Sequence, residues 1–148
     1  MVLVSAARRT PAPAPNGMDI QAFNAWLTAL GEAFERRDAD ATTALFAPGA
    51  TFQPSPFGER VRGRNQIAAH WGSLLAEQRA IRFQAEILGV GATYGIAHWR
   101  VLFRRLDDRT TLAVDGILLA AFDRRGRATS VRGWSHEVAG PPDLEPDR

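Results

Sequence analysis

Three histidines and one strand aspartate, His70, His98, His136 and Asp115, are the residues of this chain best suited to move a proton. An imidazole titrates near neutral pH and a neighbouring carboxylate can take or hold its proton, so such a set suits acid–base work on a bound molecule. Other chemistries lack their residues. The absence of cysteine removes disulfides, thiol nucleophiles and thiolate metal ligands. The histidines are widely spaced and make no H-x-x-x-H pattern, so a zinc site is not expected. Acid–base work by such groups needs no cofactor. Asp115 and His136 both fall in "DGILLAAFDRRGRATSVRGWSHE", which reads as two strands joined by a tight turn. Successive strand residues face opposite ways, so the strand register decides whether these groups enter a pocket or lie on the wet side of a sheet.

The elements that must position them come in two blocks. From Ile20 to about Arg37, Ile20, Phe23, Leu27, Leu30 and Phe34 recur at steps of three and four behind a capping Asp19, which predicts a long amphipathic helix. "ADATTALFAPGA" predicts a second, short helix stopped by Pro48 and Gly49. "TFQPSPFGERVRG" reads as an edge strand and loop, and "RNQIAAHWGSLLAEQ" returns to helical spacing through Ile67, Trp71, Leu74 and Leu75. From Ala80 the period becomes that of strands: "IRFQAEILGVG", "TYGIAHWRVLFRRL", "TTLAVDGILLAAF" and "ATSVRGWSHEV". They are divided by "GVGA", "LDDR" and "DRRGR", which carry the Gly and Asp that tight turns use. Three helices followed by an antiparallel meander is an α+β arrangement, with a curved sheet wrapped on the long helix around a cone-shaped cavity.

Composition narrows the partners. At 148 residues and 45% hydrophobic, the chain supports one domain with a proper core. Residues 19–139 are assigned to it, residues 1–18 to a Pro- and Ala-rich disordered lead-in, and 140–148 to an acidic disordered tail; Met18 is a second candidate start beside Met1. The formal charge is +2, and the sequence pI near 10.3 overstates the basicity, because all 18 cationic side chains are arginines and little titrates below them. The arginines are interleaved with acids, so no nucleic-acid partner is expected. Apolar runs such as "GILLAAF" are too short to cross a bilayer, and the arginines of the N-terminal segment follow its apolar patch, the wrong order for a secretory signal. A cytoplasmic protein is expected.

The helix ending in "RRDADATTALFAPGATF", the approach "VRGRNQIAAHW" and the closing hairpin "FDRRGRATSVRGW", spanning about residues 20–138, resemble the nuclear transport factor 2-like superfamily. Its members include SnoaL-like polyketide cyclases, ketosteroid isomerases and limonene epoxide hydrolases. The resemblance implies the cone fold, but the catalytic residues of these enzymes do not carry over. The isomerases' oxyanion-hole tyrosine falls on Leu30, their base on Pro54 and their second aspartate on Leu118. The epoxide hydrolases' arginine falls on Trp99 and their aspartates on Val101 and Gly133, and the acid of SnoaL-type cyclases also falls on Gly133. One scaffold hosting many functions leaves the activity open.

If Trp99 faces the cavity, so do Val101 and Phe103, Val114, Gly116, Leu118 and Ala120, and Val131, Gly133 and Ser135. His98, Arg100, Asp115, Arg132, Trp134 and His136 then lie on the other face, which in this superfamily commonly forms a homodimer; there Asp115 would pair with Arg100 or Arg132. The projected ligand-binding set is Leu30, Phe34, Phe52, Gln53, Trp71, Trp99, Val101, Leu118, Gly133 and Ser135, which suits a small hydrophobic molecule. His70, or an Asp115 or His136 turned inward by a one-residue bulge, is the catalytic candidate for a cofactor-free cyclase, isomerase or hydratase. A carrier or sensor without catalysis, and a dimerisation module whose tryptophans fill the cavity, are the other readings.

Overall fold

The structure is a computed structural model that describes residues 17–140. The lead-in and tail assigned from composition lie outside the described residues, except at their inner ends: Met18 is buried, and its N–H donates to the Ala92 carbonyl at 2.6 Å.

Helix α1 (Ile20–Glu35) starts where Asp19 accepts a hydrogen bond from the Ala22 N–H at 2.7 Å, satisfying one of the donors a helix N-terminus leaves free. Its buried stripe, Phe23, Trp26, Leu27, Leu30, Ala33 and Phe34, recurs at the helical period and faces the sheet. The helix ends at Glu35, two residues before the predicted Arg37, because Arg37 adopts a left-handed φ of 58° that turns the chain. There its guanidinium donates to the Leu75 carbonyl at 3.1 Å. Asp38 then caps α2 (Ala39–Ala44) through the Ala41 N–H at 2.9 Å.

Pro48 and Gly49 do not stop that helix. They lie inside β1 (Phe46–Gln53), where the pairing register slips between Phe46 and Thr51. An irregular stretch tolerates proline because no ladder N–H is required of it. After β2 (Val61–Arg62) comes α3 (Gly63–Ala76), which buries Ile67, Trp71 and Leu75. The meander follows as β3 (Gln78–Val90), β4 (Tyr94–Arg105), β5 (Thr111–Phe122) and β6 (Ala128–Ala139). In the β5–β6 turn, Asp123 accepts from the Arg125 and Arg127 N–H groups at 2.9 and 3.0 Å, and Gly126 supplies a φ of 75°.

The sheet order is β2-β1-β6-β5-β4-β3, an open six-stranded sheet whose outer strands do not close on one another. The meander is antiparallel as its turns predict, but β1 joins β6 in parallel, so the whole sheet is mixed. Bulges in β3, between Arg79 and Arg82 and between Ile87 and Gly89, bend its edge. Helix α1 lies across the concave face, where the ring of the fully buried Phe23 meets Phe122 edge-on at 5.7 Å.

A cavity between the helices and the sheet

Between α1, α3 and the concave face remains a cavity of about 220 Å³. Helix α1 contributes Trp26, Leu30 and Phe34, and α3 contributes His70, Trp71, Leu74 and Leu75. The sheet adds Phe46 and Phe52 from β1 and a row of alternate residues from the meander, among them Phe83, Trp99, Val101, Phe103, Val114, Leu118, Val131, Gly133 and Ser135. Aromatic contacts set its shape: Trp71 stacks on Phe52 at 5.0 Å and leans on Phe34 at 4.8 Å. Nine of the ten residues projected from sequence therefore border the cavity; Gln53 does not. Its neighbour Phe52 takes the inward place on β1, so the Gln53 side chain points to the following loop and donates to the Pro56 carbonyl at 3.2 Å.

Few polar groups enter. His70 lies half-buried against the rings of Phe52 and Trp71, each 5.2 Å away, and also borders a shallow surface groove with Glu59 and Glu77. Desolvation lowers its pKa below the ordinary 6.5, leaving the imidazole neutral at pH 7. Ser135 sits on the exposed part of β6. Gln78, only 8% exposed, lines the cavity where α3 hands over to β3. The indole nitrogens of Trp71 and Trp99 are buried without a hydrogen-bond partner, an uncommon state for a donor. The set projected from sequence lacks the polar Gln78 and Glu137 and the aromatic Trp26, Phe46 and Phe83, all of which line the cavity. Glu137 follows Val131, Gly133 and Ser135 in the same alternation, so reading the strand two residues further would have found it. Among the described residues, no three His, Cys, Asp or Glu side chains gather as a metal set would.

Asp115 and His136 stay on the opposite, convex face. The β4–β5 register runs without a slip from Tyr94–Ala121 to Arg104–Thr111, and in the β5–β6 pair the single shift comes at Ala121–Phe122, beyond both residues. No bulge turns them inward, so neither reaches a molecule in the cavity. Asp115 instead accepts from Arg100 Nε at 2.6 Å and contacts His98 Nε2 at 2.8 Å. Partial desolvation works to raise the Asp115 pKa, but the hydrogen bonds from Arg100 and His98 outweigh it and hold the carboxyl below its usual range. Arg132 is not its partner: that guanidinium lies 4.9 Å over the Trp134 ring. The register sets His136 opposite Asp115, with its side chain exposed.

Comparison with known proteins agrees with this fold. The sequence profile of the SnoaL-like domain matches residues 27–144. No curated protein matches the sequence. Among solved structures, the epoxide hydrolase/cyclase-like enzyme SalBIII, described for pyran ring formation in the polyether salinomycin, superposes with a TM-score of 0.70 at 15% identity, over 80% of this chain and 93% of its own. A computationally designed 17-OHP binder gives 0.69 at 18%, over 80% and 96%. RV0760c from Mycobacterium tuberculosis gives 0.71 at 14%, over 88% and 100%. At these identities the likeness shows a shared fold.

Proposed function

Since the chain belongs to the SnoaL-like family, we propose that its cavity binds a small, largely apolar molecule of one or two rings. The observation that carries this is the cavity itself, an aromatic-lined space of about 220 Å³ left open in a packed interior. An apolar cavity of roughly 150 Å³ takes benzene, whereas pockets for drug-sized ligands start at roughly 300 Å³. The size therefore favours a compact aromatic or terpenoid-like ring system. The open volume also speaks against a module whose tryptophans fill the cavity and serve only dimerisation. Naphthalene is a suitable probe: it should quench tryptophan fluorescence, with weaker binding in Trp71→Phe and Trp99→Phe. Equal binding by parent and both variants would refute the assignment.

A second reading is supported by one observation, the neutral, half-buried His70 on the cavity wall. In a cofactor-free isomerase, cyclase or hydratase, His70 takes a proton from the bound molecule and returns one from solvent. A bicyclic aryl ketone in D₂O would then exchange its α-protons faster with protein present, and His70→Gln would abolish the acceleration while leaving binding intact. No acceleration would leave the binder.

On the convex face we propose a homodimer. Trp134, 37% exposed, Arg132 stacked on it, and the Asp115–Arg100–His98 cluster supply the aromatic and charged groups that interfaces favour. Light scattering should give twice the chain mass, and Trp134→Glu should give the chain mass alone; a monomer at high concentration would sink the proposal.

A further inference from the structure

We propose that Glu137 sets which head group the cavity accepts: an apolar ring body ending in an ammonium or hydroxyl is taken, and the same body ending in a carboxylate is refused. This rests on the reading of the cavity as a small-molecule site.

Among the described residues, Glu137 is the one acid on the cavity wall, and no arginine accompanies it there. His70, the other titratable group of the described lining, is shifted by desolvation toward its neutral form, which offers a ligand anion little positive charge. Two of the polar groups, Ser135 and Glu137, lie toward one end. Ser135 and Glu137 are exposed on the last part of β6, whereas Val131 and Gly133, deeper on the same face, are buried. A ring system that enters apolar end first therefore leaves its substituent beside Glu137. The cation paired with it does not reverse the sign. Arg105 stands 4.0 Å from Glu137 and 3.4 Å from Asp108, one guanidinium between two carboxylates, so the group of three carries a net negative charge. A ligand carboxylate that approaches Arg105 also meets the repulsion of both acids beside it. The formal charge of +2 on the whole chain does not compensate, because charges spread over the surface are screened beyond roughly 8 Å at physiological ionic strength.

Glu137 is 54% exposed, which places its Coulomb effect near the aqueous end of the range and makes the expected discrimination about tenfold, equivalent to about 1.4 kcal/mol. The test uses naphthalene, 1-naphthylmethylamine and 1-naphthoate, which share one ring body, with affinities from tryptophan fluorescence at pH 7. In the parent the amine binds about tenfold more tightly than the carboxylate, and added salt narrows the gap. Glu137→Gln brings the two close together, and Glu137→Lys reverses the order. A carboxylate that binds the parent as tightly as the amine overturns the proposal, as does an amine preference that survives in Glu137→Gln. If naphthalene itself does not bind, the cavity reading fails first and this inference falls with it.

Discussion

Gly133 occupies the place to which the resemblance assigns a cyclase acid, and the structure explains why no side chain stands there. A Cβ built on Gly133 would lie 2.9 Å from the Pro54 carbonyl oxygen, closer than the 3.4 Å at which ordinary contact begins. The obstacle is backbone, so Gly133→Ala must push β6 from the chain that leaves β1, where Gln53 pairs with Arg132. Overpacking of this kind costs about 1–3 kcal/mol. At about 4 °C per kcal/mol for a chain of this size, the melting temperature falls by roughly 4–12 °C. Gly72→Ala is the internal control, because Gly72 lies exposed within α3 and an added Cβ there meets nothing within 4 Å. The identical chemical change there removes a glycine from a helix interior and should stabilise by about 0.5–1 kcal/mol, raising the melting temperature by roughly 2–4 °C. Thermal unfolding followed by circular dichroism reads both. A Gly133→Ala protein that melts with the parent, or a Gly72→Ala protein that melts well below it, would refute the reasoning.

Because desolvation lowers the His70 pKa, the unfolded chain takes up that proton first as the pH falls through 6.5, so its contribution to stability, complete above 6.5, is lost as the pH drops toward the lowered folded value. Denaturant unfolding at pH 7 and pH 5 should show a larger loss in the parent than in His70→Gln; equal losses would contradict the burial of the imidazole. Asp115 is 51% exposed on the convex face, so Asp115→Asn should cost only about 0.2–1 kcal/mol despite the short contacts to Arg100 and His98, and should leave naphthalene affinity unchanged. A several-fold change in affinity would place Asp115 with the cavity after all.

The helices and the meander were legible because their patterns are local. Phe23, Leu27, Leu30 and Phe34 mark one face of α1 at the helical step, and Asp123 and Gly126 announce the last hairpin. Strand alternation, anchored on Trp99, also placed Val101, Leu118 and Gly133 on the concave side and Asp115 on the convex one. What is not local was missed. The parallel pairing of β1 with β6 joins segments at opposite ends of the domain, and nothing within either strand specifies its direction. Pro48 and Gly49 carry the same local preference whether they stop a helix or occupy an irregular strand, and the pairing of Phe46 and Thr51 with β6 on either side of them decides for the strand. At Gln53 and Glu137 the strand period itself carries the answer: alternation from Phe52 sends Gln53 outward, and alternation from Ser135 brings Glu137 in.

The central claim is that a small apolar molecule enters the space between α1, α3 and the concave face, and the four tryptophans report on it directly. Trp26, Trp71 and Trp99 line the cavity and Trp134 stands on the convex face. In ¹H–¹⁵N spectra of the full chain titrated with naphthalene, the indole resonances of Trp71 and Trp99 should move with the same saturation while that of Trp134 stays in place. Saturable shifts at Trp134 with none at Trp71 and Trp99, or no indole shift at the solubility limit of the probe, would contradict it.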